Sequence, residues 1–269
     1  MSAQRHDERR AIFITGAASG VGRQTALLFA KQGWLVGAYD VNESQLAALG
    51  AEIAGKCITG KLDVSDRAQY ARTIEQFGAA SGGRLDLLFN NAGIARGGPL
   101  DKMSFDDILA VINVNLLGVI HGIYLAAPLL KATTNSLCFS MSSATGVFGL
   151  PNMAIYAATK HAVKGLTEAL SLELRPFGVR VADALPGLLD TPFIRRSIAE
   201  HSDRDGMFRV LSAQDMAQVV WKAYHSDQLH WYVPDQLQDL ARSVADSAEA
   251  VREQVASKSG AFAWMRSIA

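Results

Sequence analysis

Thr15-Gly16-Ala17-Ala18-Ser19-Gly20-Val21-Gly22 is the stretch on which the reading of this chain turns. Before it stands a short apolar run, Ala11–Ile14, and a helically spaced stretch from Val21 to Gln32 follows. Three glycines between a strand and a helix allow a tight turn, a close approach of backbone to a bound group and close helix–sheet packing. A helix that starts inside the turn offers free N–H groups and a partial positive charge to a phosphate. The spacing G-x-x-x-G-x-G differs from the commoner G-x-G-x-x-G, so the turn alone is weak support for a nucleotide site.

Outward from the turn, strand-like and helix-like stretches alternate. β-Branched and aromatic apolar runs recur at Ala11–Thr15, Trp34–Asp40, Cys57–Asp63, Leu85–Asn90, Leu137–Ser142 and Val179–Leu185. Between them, helical spacing covers Val21–Gln32, Glu43–Gly55, Asp66–Ala80, Phe105–Leu130 and Ile155–Pro176. This alternation predicts an α/β fold whose parallel sheet is covered by helices on both faces. Beyond it come a charged and apolar segment at 191–210, a helix at Ala213–Ser226 and a short strand at Leu229–Val233. A helical tail then starts near Asp235. No repeat or Pro/Ser-rich linker divides the 269 residues, so one domain, 1–269, is expected, with a lid at 191–210 and a tail over 235–269.

The bulk composition excludes several classes. Lys+Arg and Asp+Glu are both 26, leaving no net field to draw nucleic acid or an anionic membrane. Two cysteines, Cys57 and Cys138, are too few for a disulfide framework or a thiolate metal site and suit a reducing compartment. The polar Met1–Arg10 and the short apolar run after it resemble neither a signal peptide nor a span, so a cytoplasmic protein is expected.

Asp40 strengthens the nucleotide reading. It ends the second apolar run, eighteen residues beyond Gly22, where a carboxylate meets the adenosine ribose of a dinucleotide. A carboxylate there favours NAD, because it would repel the 2′-phosphate of NADP. A hydrogen bond to a charged group contributes about 1.5–3 kcal/mol before that repulsion is counted. Ser19 and Val41, where a 2′-phosphate would want cations, carry none. Asn42 is the expected cap of the following helix, which frees Asp40 from that duty.

With these motifs in order, the chain resembles the short-chain dehydrogenase/reductase family over about residues 10 to 192. Thr15–Gly22 matches its glycine turn, Asp63-Val64 its adenine-contacting pair, and Asn90-Asn91-Ala92-Gly93 its run after the fourth strand. Val114-Asn115-Leu116 with Gly118 matches its helix-borne asparagine. Ser142-Ser143 and Tyr156-Ala-Ala-Thr-Lys160 match its serine and Y-x-x-x-K, and Pro186-Gly187 with Thr191 its segment over the nicotinamide. The resemblance implies a Rossmann-type doubly wound sheet of about seven strands in the order 3-2-1-4-5-6-7. It assigns the cofactor to Gly16, Ser19, Gly20, Val21, Gly22, Asp40, Asp63, Val64, Asn91, Ala92, Gly93, Tyr156, Lys160, Pro186, Gly187 and Thr191.

The implied chemistry is hydride exchange with NAD, coupled to proton transfer on the same oxygen. Tyr156 is the expected general acid and base. A free phenol, pKa about 10, is ionised about one time in a thousand at neutral pH. Lys160, one turn on, shares its helix face and is expected to lower the Tyr156 pKa, as is the positive nicotinamide of NAD⁺. Ser143 is expected to hold the substrate oxygen, with Ser142 as the competing choice. Asn115 is implied to hold water beside Lys160. No metal is required, and His121 and His161 read as structural.

The expected substrate pocket is apolar: Ile94, Ala95, Val147, Phe148, Leu150 and Met153, with Leu188, Phe193, Ile194, Met207 and Phe208 above. That suits a hydrophobic secondary alcohol or ketone, and Arg195, Arg196, Arg204 and Arg209 read as solvated charges. The resemblance also implies a homodimer or homotetramer paired through Phe105–Leu130 and Ile155–Pro176. Trp231-Tyr232-Val233-Pro234 stands where the family commonly has Asp-Gly-Gly, which puts the tetramer in doubt. An NADP-dependent ketoacyl-type reductase and a non-catalytic NAD-binding sensor are the competing readings.

Overall fold

The computed structural model describes residues 9–53, 55, 57–190, 206–207 and 209–257. Seven parallel strands form one sheet in the order β3-β2-β1-β4-β5-β6-β7, as the resemblance implied. They are β1 Ala11–Thr15, β2 Leu35–Asp40, β3 Cys57–Lys61, β4 Leu87–Asn90, β5 Leu137–Met141, β6 Arg180–Pro186 and β7 His230–Val233. Every residue of β1, β4 and β5 is buried, whereas the edge strand β3 is not. Continuous apolar runs are what a two-sided parallel sheet requires.

The period of two along each strand divides these side chains between two cores. Ile12, Ile14, Leu87, Phe89, Leu137, Phe139 and Ala184 point to one face. Ala11, Phe13, Leu88, Cys138 and Val181 point to the other. The first face is covered by α1 Gly20–Lys31, α2 Glu43–Ile53 and α7 Ala213–Tyr224. The second is covered by α3 Arg67–Ala80, α5 Gly118–Ala132 and α6 Ala154–Glu173. Side-chain caps start two of these helices: Asp66 accepts from the Gln69 N–H before α3, and a Ser212–Asp215 capping box opens α7.

One predicted helix is interrupted. The stretch expected over Phe105–Leu130 is α4 Phe105–Ile112, a π turn at Asn113–Leu117, and then α5. The cause is long-range: the Asn115 side chain pairs with the backbone of Ile94, and Val64 packs flat on Gly118. A Cβ at Gly118 would lie 2.6 Å from the Val64 side chain. The tail resolves into α8 Leu237–Asp246 and α9 Ala248–Ser257. Of the expected lid, the structure describes the base, where Leu189 bridges Leu211 and Asp190 donates to the Leu211 carbonyl at 2.9 Å. Thr191, Phe193, Ile194, Arg195, Arg196, Arg204 and Phe208, and the tail residues 258–269, lie outside the described residues.

Candidate active site

The carboxyl ends of β1, β4 and β5 converge on the glycine turn. Gly16 has φ +67°, and a Cβ on it would lie 2.9 Å from Ala92 and from the Asn91 amide. At Gly22 a Cβ would fall 2.2 Å from the Gly16 carbonyl oxygen, so the first turn of α1 lies directly on the loop. The Thr15 hydroxyl accepts from the Asn91 and Ala92 N–H groups, both at 3.1 Å. In return the Asn91 amide donates to the carbonyls of Thr15, 2.9 Å, and Gly16, 3.1 Å. Asn91 is thus a strut that holds the turn open. Ser19 caps α1 without a side-chain hydrogen bond, so Gly20, Val21 and Gly22 begin the helix with no side chain over its N–H groups. Such an end is suited to a phosphate.

Asp40 closes one side of this cradle. Its carboxylate accepts from the Ala18 N–H and the Asn42 N–H, each at 3.0 Å. Asn42, as expected, caps α2 by accepting from Gln45 at 3.1 Å. A cation escaped the sequence reading here: Lys61 is the register partner of Asp40, and its ammonium lies 3.1 Å from Glu43. Farther along the cleft, Asp63 turns its carboxylate onto Ser65, and buried Val64 supplies a carbonyl to His121 Nδ1 at 3.0 Å. A Cβ on Gly93 would lie 3.3 Å from Asn115 Oδ1 and 3.8 Å from Lys160 Nζ, so three expected site residues meet there. The cradle, the carboxylate and this bare backbone fit a dinucleotide that runs from the turn to Lys160.

The two serines part company. Ser142 Oγ donates to the Lys160 carbonyl at 2.9 Å and ties α6 to the end of β5. Ser143 instead opens a 3-10 turn, accepting from the Thr145 N–H at 3.2 Å, and its hydroxyl hydrogen-bonds to that of Tyr156. Of the two, Ser143 is the one that meets Tyr156. Lys160 is buried and donates to the Met141 carbonyl at 2.7 Å, with Nζ 5.5 Å from the centre of the Tyr156 ring. That carbonyl was not anticipated, because a strand-end oxygen carries no mark in the sequence.

The share of the expectation for Tyr156 that falls on Lys160 is corrected. Burial pushes its phenol above the ordinary tyrosine value, and the hydrogen bond from Ser143 opposes this without cancelling it. Lys160, pushed down to about 8 by burial, is turned toward Met141 and does not offset the desolvation of the phenol. Asn115 is fully buried, and Ile94 takes both ends of its amide, N–H to Oδ1 and Nδ2 to carbonyl, each at 2.8 Å. Its visible duty is to fix the backbone after Gly93, a role not foreseen for it.

Gly187 follows β6 and donates to the Val233 carbonyl at 2.7 Å, while Thr191 falls outside the described residues. Val147, Phe148, Leu150 and Met207, all expected at the pocket, cluster with Leu237 and Leu240 of the tail. His161 Nδ1 lies 2.9 Å from the Ala157 carbonyl, a helix-internal partner. Among the described residues, no His, Cys, Asp and Glu group has the arrangement of a metal site.

The sequence model of the short chain dehydrogenase family matches residues 10–202. A 3-oxoacyl-(acyl-carrier-protein) reductase of Thermotoga maritima is 38% identical over 194 residues, 70% of this chain and 78% of that protein. Cyclohexanol dehydrogenase of an Acinetobacter species is 34% identical over 212 residues, 77% of this chain and 84% of its own. Among solved structures, a short chain dehydrogenase/reductase from Burkholderia phymatum in complex with NAD superposes with a TM-score of 0.79. It is 28% identical, and the match covers 91% of this chain and 96% of that one. The relatives are dehydrogenases and reductases of alcohol and ketone groups, and this chain is an oxidoreductase of the same kind. On motif order, sheet topology and the family match together, the chain belongs to the short-chain dehydrogenase family.

Proposed function

We propose that the protein interconverts a hydrophobic, alicyclic secondary alcohol and its ketone with NAD(H), using Tyr156 as general acid and base. The observation that carries this reading is the hydrogen bond between Ser143 and Tyr156, one helical turn from a buried Lys160 at the backbone of Gly93. When bound, NAD(H) supplies or accepts the hydride at the carbinol carbon. In reduction, Ser143 donates a hydrogen bond to the carbonyl oxygen and Tyr156 gives it a proton. In oxidation, Tyr156 takes the hydroxyl proton back. Burial raises the phenol, and Tyr156 carries its proton at neutral pH as the acid of the reduction direction. Lys160, one turn on, holds its ammonium on the Met141 carbonyl at the end of β5, 2.7 Å away.

Asp40 supports NAD: it already accepts from Ala18 at the turn, and a 2′-phosphate would bring a second anion against it. The apolar Val147, Phe148, Leu150 and Met207 support an alicyclic substrate, as does the likeness to a cyclohexanol dehydrogenase. The 3-oxoacyl reductase of Thermotoga maritima keeps a ketoacyl substrate in view. Initial rates with NADH and NADPH on cyclohexanone, substituted cyclohexanones and a 3-oxoacyl thioester decide the matter. The reading requires NADH with the cyclic ketones to be the best pair. Preference for NADPH with the thioester would overturn it, and tight NADH binding without turnover would favour a sensor.

We read the protein as a cytosolic homo-oligomer. The stretch Phe105–Ala132 is long and apolar enough to cross a membrane, yet its inner face holds Asn115 and Gly118 against the site. Phe105, 70% exposed, and Tyr124, 67% exposed, stand open on this stretch, and Leu172 of α6 is 69% exposed. An apolar surface tied to a folded domain in this way suits a second subunit.

A further inference from the structure

Asp183 is an acid inside the sheet. It stands on β6, fully buried, and its carboxyl meets Nδ1 of His230, its register partner on β7, at 2.7 Å. The other ring nitrogen of His230, Nε2, lies 3.3 Å from Glu168 of α6. Glu168 pairs in turn with Lys164, one helical turn before it. Four charged or titratable side chains from three elements thus stand in one row, Asp183–His230–Glu168–Lys164, outside the site described above.

The placement of His230 bears on how many protons this row holds. A neutral imidazole donates through one nitrogen and presents a lone pair at the other. With a carboxyl group at each nitrogen, a neutral ring would aim that lone pair at a carboxylate oxygen. The imidazolium donates to both, and the two carboxylates, the imidazolium and the Lys164 ammonium then sum to zero charge. Loss of the proton leaves a negative charge uncompensated beside Asp183, which water does not reach. Burial pushes the Asp183 carboxyl up, and the hydrogen bond with His230 opposes it, so the two groups titrate together. Of the elements packed against His230, β6 presents Asp183, α6 presents Glu168 and Lys164, and β7 itself presents Tyr232, its ring centre 6.3 Å away. The outer end of the row opens on a cavity of about 430 Å³ lined by His161, Lys164, Glu168 and Tyr232, a route by which its proton exchanges with solvent.

β7 is a four-residue edge strand, paired on one side to β6. So short a parallel ladder has few bonds to hold its register. Asp183 and His230 make its first pair, and three residues on, the Val233 carbonyl receives the Gly187 N–H at 2.7 Å. We propose that Asp183 and His230 are positioning residues for the nicotinamide end of the cofactor site, the proton they share pinning β7 to β6 and so holding Gly187 in place. The proposal rests on the reading of Pro186 and Gly187 as cofactor-binding. When the row loses its proton at higher pH, one contact of His230 turns from attractive to repulsive. β7 loosens, and Gly187 loosens with it. NADH affinity is then tied to pH through residues that touch neither substrate nor cofactor.

The test titrates NADH binding from about pH 6 to about pH 9 in the native protein, His230→Gln and Asp183→Asn. Glutamine keeps a hydrogen bond to Asp183 and does not titrate. The rise in the NADH dissociation constant across this range is about fivefold larger in the native protein than in His230→Gln, the low end of coupling between two sites. Tyr156 and Lys160 are present in both, so their own titration cancels in the comparison. Asp183→Asn keeps the shape and removes the charge, so the step moves to lower pH. Should Asp183→Asn not fold, Glu168→Gln, at the exposed end of the row, carries the same expectation. A His230→Gln protein that melts earlier but keeps the native pH profile overturns the proposal and leaves the pair merely structural. Amide hydrogen exchange gives a readout that needs no cofactor. Protection of the Gly187 amide falls with pH in the native protein and stays level in His230→Gln, and the same course in both overturns the proposal. If the native protein binds neither NADH nor NADPH, the cofactor reading fails, and exchange at Gly187 alone decides whether the row pins β7.

Discussion

The sheet from Ala11 to Pro186 and the helices from Leu237 to Ser257 meet at the same loop but are held by different means. In the sheet, each strand sends alternate side chains into two separate cores, and the loops at its carboxyl edge are cross-tied by hydrogen bonds. Thr15 with Asn91, Asn115 with Ile94 and Ser142 with Lys160 are such ties. The tail rests on one small apolar cluster, and a cavity of about 430 Å³ lies between it, α6 and the loop at Gly146 and Val147. A site built on the first kind of structure holds its reacting groups in place.

The sharpest way to break this comparison is at the two adjacent serines. Ser143→Ala is expected to lower kcat by about 10²–10⁴-fold, the usual worth of a group that assists proton transfer, with NADH affinity preserved. Ser142→Ala removes only a tie, so it is expected to cost about 1–3 kcal/mol of stability while turnover survives in the folded fraction. Urea denaturation and steady-state kinetics on both variants check this, and reversed results would exchange their roles. Next in size is cofactor choice. Asp40→Asn is expected to shift preference toward NADPH by about 10- to 100-fold, from the worth of one charged hydrogen bond. Lys61, across from Asp40, becomes available to a 2′-phosphate if its pairing with Glu43 is broken, so Asp40→Asn with Glu43→Gln is expected to shift further.

The smallest effect is in pH. Burial lowers Lys160 to about 8 from an ordinary lysine value of 10.5. Between those values the unfolded chain binds a proton that the folded chain does not, so stability rises with pH across that window. Comparing urea midpoints at pH 7.5 and pH 10 with those of Lys160→Met isolates the contribution, since the slope is expected to flatten in the variant. For ketone reduction the sign is opposite. Losing the ammonium above about pH 8 weakens the bond from Lys160 to the Met141 carbonyl that orders the end of β5 beside Ser143, so kcat/KM is expected to fall there.

Much of the fold could be read because its signals are local. β1 occupies Ala11–Thr15 as predicted, and the other strands differ only in where they fray. Continuous apolar runs and glycine turns are visible within a few residues. The features that were missed depend on contacts distant in sequence. The π turn exists because Asn115 meets Ile94, and the division of labour between Ser142 and Ser143 depends on α6. The part of Lys160 in the Tyr156 pKa was misjudged for a related reason: one-turn spacing shows that Lys160 is near, but not that its ammonium turns to Met141. The tail could be read as helical, whereas its grip on the loop after Ser143 could not.

Single-turnover oxidation of NADH by cyclohexanone in Tyr156→Phe, beside an NADH binding titration, tests the central claim. The phenylalanine keeps the ring and removes the proton, so binding should stay within a few-fold of native while the hydride step slows by about 10²–10⁴-fold. A variant that binds NADH normally and reduces the ketone at the native rate would show that the transferred proton comes from elsewhere.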